Sequence, residues 1–185
     1  MKYKAVIIGG SAGSFQVVTK ILSSLPKNFD LPLFLCLHRL KHIRSGFVEA
    51  LALKSNLKII EPFDKDSINK GTVYLAPANY HMYIEYGQKF SLSTEPVVNH
   101  SRPSIDLSFY SAATSYRDKV IGIVLSGANK DGAKGIKRIK EYGGTVIVQD
   151  PEEAQIKTMP NSAISITTPD EVLTTQGIIN FLNNI

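Results

Sequence analysis

Three residues of the types that activate a serine stand at the ends of apolar runs in this chain: Ser11, His38 and Asp131. Ser11 sits in Gly9-Gly10-Ser11-Ala12-Gly13, a Gly-x-Ser-x-Gly pattern that directly follows Ala5-Val6-Ile7-Ile8. A buried strand that breaks through glycines into a helix puts the serine at the strand's carboxyl end. There it faces the unpaired N–H groups of a helix start. Such an elbow suits either a phosphate cradle or a nucleophilic serine beside an oxyanion hole. A hydroxyl needs a base to take its proton, and a histidine base needs a carboxylate to fix its tautomer. His38 closes a second apolar run, 33–37, and Asp131 lies in the loop after a third, 120–125. In a parallel sheet such ends share one edge, where ligands bind. The simpler alternative for the loop is a helix cap supplied by Ser11 or Ser14.

The elements that must hold these residues follow from periodicity. Residues 4–8 read as a buried strand and 14–25 as a helix, with Phe15, Val18, Leu22 and Leu25 at helical spacing before Pro26. A strand is expected at 32–37, then a helix capped by Ser45 and carrying Phe47, Val48 and Leu51, then a short strand at 57–60. Residues 72–76, 82–86 and 89–93 read as short antiparallel strands, with Gly87-Gln88 as a two-residue hairpin turn. A helix starts at Pro103 and runs to 117, and the strand at 120–125 leads through a glycine-bearing loop into a helix closed by Gly143-Gly144. A strand at 145–149 and two helical segments around a strand at 171–173 complete the chain. Strands alternating with helices give an α/β fold. The expected architecture is a single domain over residues 1–185, with a mostly parallel sheet, helices on both faces and an antiparallel hairpin addition.

Rival chemistries fit less well. A dinucleotide fingerprint needs Gly-x-Gly-x-x-Gly, but Ser11 and Ser14 occupy glycine positions, and the second strand ends in His38 rather than an acid. The loop 127–134 mimics a P-loop, yet Ala133 separates Gly132 from Lys134, and Gly135 stands where Ser or Thr belongs. His38 and His42 are four apart, a metal-ligand spacing, but the glutamate of a zincin is missing and the segment follows a strand. No metal and no cofactor are therefore expected. His81 and His100 are given ordinary surface or hydrogen-bonding roles.

Composition sets outer bounds. With 43% hydrophobic and 20% charged residues the chain has an ordinary soluble globular make-up, and no apolar run is long enough to span a bilayer. The start lacks a signal-peptide pattern, so a cytoplasmic protein is expected. The single cysteine, Cys36, excludes an internal disulfide and lies inside an apolar run, as a buried thiol would. The net charge of +5 is spread along the chain without a nucleic-acid motif. Lys134, Lys137, Arg138 and Glu141 share one helix face, either a solvated surface or a basic rim for an acidic protein.

Several well-spaced motifs then carry a resemblance over essentially the whole chain. They are Ile7-Ile8-Gly9-Gly10-Ser11-Ala12-Gly13, the strand ending in His38, Tyr74-Leu75-Ala76-Pro77 with His81, and Ser101-Arg102-Pro103-Ser104-Ile105-Asp106. Further along come Leu125-Ser126-Gly127 through Asp131-Gly132-Ala133, Gln149-Asp150-Pro151, and Met159-Pro160 with Ala163-Ile164. Together they resemble the catalytic domain of bacterial chemotaxis protein-glutamate methylesterases, CheB in type. The resemblance implies an α/β fold with a parallel-type sheet of about seven strands and an antiparallel addition. It also implies hydrolysis of γ-glutamyl methyl esters on the cytoplasmic helices of chemoreceptors, and in many members deamidation of receptor glutamines. Carried over, the nucleophile is Ser11, the base His38 and the orienting carboxylate Asp131.

The departures from the family pattern bear on the same site. Ala12 replaces the usual Thr, and Gly127-Ala128-Asn129-Lys130-Asp131-Gly132 replaces Gly-Met-Gly-x-Asp-Gly. Backbone N–H groups at Ala12 and Ala128 survive such changes, so they are the expected oxyanion donors. Arg102 and the Pro103–Asp106 helix start are read as positioning substrate or bracing the loops. Family members commonly carry a receiver domain before this one, whereas here the first strand follows Met1 closely. The expectation is a chain without an attached receiver, whether a free-standing enzyme, a partner of separate response regulators, or an excised domain. The alternative is a weak or inactive receptor-binding module of the same fold.

Overall fold

The computed structural model describes residues 2–38 and 46–185. Six helices and nine strands alternate along the described chain. In order they are β1 (Ala5–Gly10), α1 (Ser14–Ser24), β2 (Leu33–Leu37), α2 (Phe47–Ala52), β3 (Lys58–Ile60), β4 (Thr72–Leu75), β5 (His81–Glu85) and β6 (Lys89–Ser93). There follow α3 (Ile105–Tyr116), β7 (Val120–Val124), α4 (Ala133–Glu141), β8 (Thr145–Gln149), α5 (Thr158–Ile166), β9 (Glu171–Leu173) and α6 (Thr175–Asn183). Seven strands make one parallel sheet in the order β3-β4-β2-β1-β7-β8-β9, and β5-β6 form a separate antiparallel pair. This is the α/β architecture expected from the sequence.

The sheet is covered on both faces, which is why its central strands read as unbroken apolar runs. Alternate residues of β1 serve opposite layers. Val6 and Ile8 join Leu33, Leu35, Val18, Ile21 and Ile178 in the core under α1 and α6. Ala5 and Ile7 join Phe34, Phe109, Ile136 and Met159 in the core under α3, α4 and α5. The β5-β6 hairpin sits on this second side, with Phe90 against Tyr74 and Phe34 at ring separations of 4.7 and 5.8 Å. Hydroxyl groups of α3 tie it down. Ser108 donates to the Met82 carbonyl, Ser115 donates to the Ile84 carbonyl, and Ser111 accepts from the Ile84 N–H.

Three details differ from the sequence reading. Thr72–Leu75 is not antiparallel. It pairs in parallel with both β2 and β3, and its four residues are buried because both its faces are covered. The hairpin turn uses three residues, 86–88, and its left-handed residue is Gln88 at φ 54° rather than Gly87. The Gln88 N–H closes a turn on the Glu85 carbonyl, the usual form for a three-residue hairpin. Helix α3 begins after Pro103, at an N-cap formed by Ser104, whose side chain accepts from the Leu107 N–H. The Ser45 cap lies outside the described residues, and α2 is preceded by Gly46 in the left-handed region.

In the sheet order β2, β1 and β7 are neighbours, and the chain's winding reverses between β1 and β7. Ligand clefts in open α/β sheets form at this switch point. The loops bearing Ser11, His38 and Asp131 therefore leave adjacent strands at one edge.

The α3–α4 contact that supports this edge depends on Gly135. A Cβ there would lie 2.6 Å from Phe109 Cβ and 2.8 Å from the Asp106 carbonyl oxygen. Alanine favours helices by ~1 kcal/mol over glycine, yet Gly135→Ala is expected to destabilise the fold by about 1–3 kcal/mol through overpacking. Urea unfolding checks this against Gly87→Ala, where the added Cβ meets nothing within 4 Å. Equal stability of the two variants would contradict the packing argument.

Candidate active site

The Ser11 elbow is built from backbone. Its N–H donates to the Ser126 carbonyl at 2.9 Å, and the His38 N–H donates to the Gly10 carbonyl at 3.1 Å, so the three loops are cross-linked where they leave the sheet. Gly13 turns the chain into α1 at φ 84°, and a Cβ there would strike Ser126 Oγ at 2.7 Å. Ser126 is buried. Its hydroxyl donates to the Ala12 carbonyl and accepts from the Ile156 N–H, both at 2.9 Å.

The capping alternative does not hold for Ser11. Gly13 precedes α1 with no side-chain cap, and the Ser14 hydroxyl donates to the Ser11 carbonyl at 2.6 Å. The Ser11 hydroxyl itself makes no hydrogen bond among the described residues. Nor do the N–H groups of Ala12 and Ala128, whereas the Gly127 N–H is spent on the Ile156 carbonyl at 3.2 Å. The elbow thus presents a free hydroxyl and free backbone donors on neighbouring loops.

Asp131 is fully buried. Its Oδ2 accepts from His38 Nε2 at 2.8 Å and from the Ile105 N–H at 2.7 Å. Its Oδ1 accepts from Asn99 Nδ2 at 3.0 Å, Ser104 Oγ at 3.1 Å and the Asp106 N–H at 3.2 Å. The carboxylate therefore sits on the amino end of α3, where the helix dipole and free N–H groups favour negative charge. Burial pushes its carboxyl upward, but hydrogen bonds from His38, Asn99 and Ile105 outweigh this and hold it below the usual aspartate range.

The same contact sets the tautomer of His38. Nε2 carries the proton given to Asp131, which leaves Nδ1 as the basic nitrogen. Ser101 Oγ and Asn129 Nδ2 approach Nδ1 at 3.4 and 3.5 Å, and Asn129 Oδ1 accepts the Asp131 N–H at 3.0 Å. Asn99 is a site residue that the sequence reading does not name, and Ser101 and Asn129 figure there as motif members without a role. Asn99 and His100 form a two-residue turn with φ 49° and 62°, a conformation that asparagine tolerates better than most residues. Composition alone does not reveal which way such a turn faces.

Other sequence expectations find their places. His81 is buried. Its Nδ1 accepts from the Ser104 N–H and its Nε2 donates to the Pro96 carbonyl, both at 3.1 Å, so it holds the N-cap of α3. Arg102 Nη1 donates to the carbonyls of Thr94 at 2.6 Å and Glu95 at 2.9 Å. Cys36 is buried against Ser108, and burial pushes its thiol well above the usual range. Lys134 and Lys137 are exposed, while Arg138 pairs with Glu141 at 2.8 Å and covers the rings of Tyr110 and Tyr142. Among the described residues no three His, Cys, Asp or Glu side chains are grouped to hold a metal ion, and none of the helices is long and apolar enough to cross a membrane. His42 lies outside the described residues.

With this geometry in view, the family model for CheB methylesterase matches residues 6–182. The chain belongs to the CheB methylesterase family. A Leptospira interrogans protein, provisionally named a protein-glutamate methylesterase/protein-glutamine glutaminase, is 45% identical over 178 residues, covering 96% of this chain and 92% of the relative. The protein-glutamate methylesterase/protein-glutamine glutaminase of Thermotoga maritima is 35% identical over 177 residues, covering 92% of this chain and half of the relative. The crystal structure of the Thermotoga maritima CheB methylesterase catalytic domain superposes with a TM-score of 0.93 at 33% identity, covering 100% of this chain and 99% of that one.

The lowered Asp131 pKa makes a stability prediction of definite sign. A carboxyl held below its unfolded value contributes stability above that value and loses it as pH falls through the native one. The stability difference between wild type and Asp131→Asn, read by urea unfolding, is therefore expected to shrink as pH falls below ~3.9, the ordinary aspartate value. A difference that stays constant from neutral to acid pH would contradict the assignment.

Proposed function

We propose that this chain is a serine hydrolase that removes methyl esters from glutamate side chains of chemoreceptors, with Ser11 as nucleophile, His38 as base and Asp131 as orienting carboxylate. The observation that carries the reading is the charge-assisted contact of His38 Nε2 with buried Asp131 at 2.8 Å, which frees Nδ1 at the edge where the Ser11 elbow opens. The family membership and the methylesterase names of its relatives supply the substrate class.

The reaction follows from these positions. His38 Nδ1 takes the Ser11 hydroxyl proton as Oγ bonds to the ester carbonyl carbon. Asp131 holds the imidazole in place and stabilises its cation. The free N–H groups of Ala12 and Ala128 receive the oxyanion, a role that their methyl side chains leave intact. Breakdown expels methoxide, which leaves as methanol with the proton from His38. Water, deprotonated in turn by His38, then attacks the glutamyl ester of Ser11, giving free glutamate and regenerated serine. The Ser11–His38 hydrogen bond absent from the resting structure forms with substrate in place. Glutamine deamidation follows the same route with ammonia leaving.

Ser101 Oγ lies 3.4 Å from His38 Nδ1, but its hydroxyl also approaches the Asn99 carbonyl at 3.4 Å within its own tight turn. Ser11 alone of the two lies at a helix start between free backbone donors. Arg102 braces the loop after β6 through Nη1, which donates to the Thr94 and Glu95 carbonyls. The reading places the protein in the cytoplasm beside receptor helices, with response regulators as further partners and with no cofactor.

Methanol release from methylated receptor tests the proposal. Ser11→Ala is expected to lower the rate by at least about 10³-fold, whereas equal release by wild type and variant would overturn the serine mechanism. Receptor binding without release by either protein would instead favour a binding module.

A further inference from the structure

Two buried aspartates near the site are exchanged between helices. Asp131, which precedes α4, is bound by the first N–H groups of α3, whereas Asp106, in the first turn of α3, accepts the Gly135 N–H of α4 at 2.7 Å. Each helix start is thereby capped by a carboxylate that belongs to the other. The exchange brings two like charges together out of water, and burial together with Asp131 pushes the Asp106 carboxyl upward.

One side chain joins the two. Asn99 Nδ2 donates to Asp131 Oδ1 at 3.0 Å and to Asp106 Oδ2 at 2.9 Å. An amide nitrogen carries two hydrogens and no charge, so it serves one lone pair on each carboxylate. Its placement is enforced by backbone. Asn99 and His100 both have left-handed φ, and Val98 and Ser101 exchange both backbone hydrogen bonds at 3.1 and 2.9 Å. The same turn brings Ser101 Oγ to within 3.4 Å of His38 Nδ1, so one hairpin touches both members of the His38–Asp131 pair. The ionisable groups around it are His38, Asp106 and Asp131, with Lys130 and Lys134 lining the cleft that Asn99 and Asp106 border, and His81 behind Ser104.

We infer that Asn99 is a positioning residue for the reaction: by bridging Asp131 and Asp106 it keeps the Asp131 carboxylate aimed at His38. The inference rests on the proposed triad. It assigns Asn99 no contact with substrate, so its effect belongs in kcat rather than KM, and it depends on the charge of Asp106.

The test is a double-mutant cycle on methylated receptor. Asn99→Gly removes the amide while keeping a residue suited to positive φ, and Asp106→Asn removes the second charge while keeping an oxygen for the Gly135 N–H. Asn99→Gly is expected to lower kcat by about 10- to 100-fold with KM within about threefold, and by less than about threefold when added to Asp106→Asn. Equal losses in the two backgrounds, or no loss in either, would overturn the inference. The imidazole N–H signal of His38 in ¹⁵N-labelled protein gives a readout without turnover, and the same spectra report whether each variant folds. It is expected to persist in wild type and Ser11→Ala, to vanish by exchange with water in Asn99→Gly, and to return in the double variant. A signal unchanged in Asn99→Gly would also overturn the inference. Were Ser11→Ala to release methanol like wild type, the nucleophile assignment would fail, while these spectra would still decide the role of Asn99.

Discussion

The carboxylate of Asp131 lies where no water reaches it, at the amino end of a helix that begins 26 residues earlier in the chain. A charge so placed is tolerable only because five donors face it, three of them from the start of α3. Removing those donors would leave an uncompensated buried anion, so the loop after β7 and the start of α3 are bound to one arrangement. Much of the local structure serves that constraint. His81 holds the Ser104 N–H, the β5-β6 hairpin delivers His81, and Gly135 permits the close helix contact. The active edge inherits its rigidity from this buried charge.

Backbone does the rest of the positioning. The loops bearing Ser11, His38 and Ser126 are linked by main-chain hydrogen bonds, supplemented by the Ser126 hydroxyl, and glycines with left-handed φ precede both α1 and α4. Groups fixed in this way do not depend on neighbouring side chains. This is the physical reason why the side chains at Ala12 and Ala128 have little part in placing their N–H groups. Asn129 adds side-chain contacts to the Asp131 N–H and near His38 Nδ1.

Much of this was legible in the sequence, for identifiable reasons. Strands buried on both faces read as unbroken apolar runs, so β1, β2 and β7 and the residues ending them could be located without coordinates. The Thr72–Leu75 strand was harder, because a four-residue run near a hairpin does not declare its partner. Its parallel pairing is set by β2 and β3. The contacts of Asn99 and Ser101 are not legible in the sequence, because they depend on which way a two-residue turn faces. His81, read as an ordinary hydrogen-bonding residue, proves to have its effect through the N-cap of α3. The polar partners of a buried charge are a tertiary property that spacing does not encode.

The central claim is that Ser11, rather than the Ser101 hydroxyl beside His38, is the activated nucleophile. A fluorophosphonate reports this directly: an activated serine oxygen bonds to phosphorus as fluoride leaves, and the adduct can be located by peptide mass spectrometry. The account predicts the added mass on the peptide containing Ser11, with none in Ser11→Ala and little in His38→Ala. Labelling of Ser101, or labelling that persists in Ser11→Ala, would contradict it.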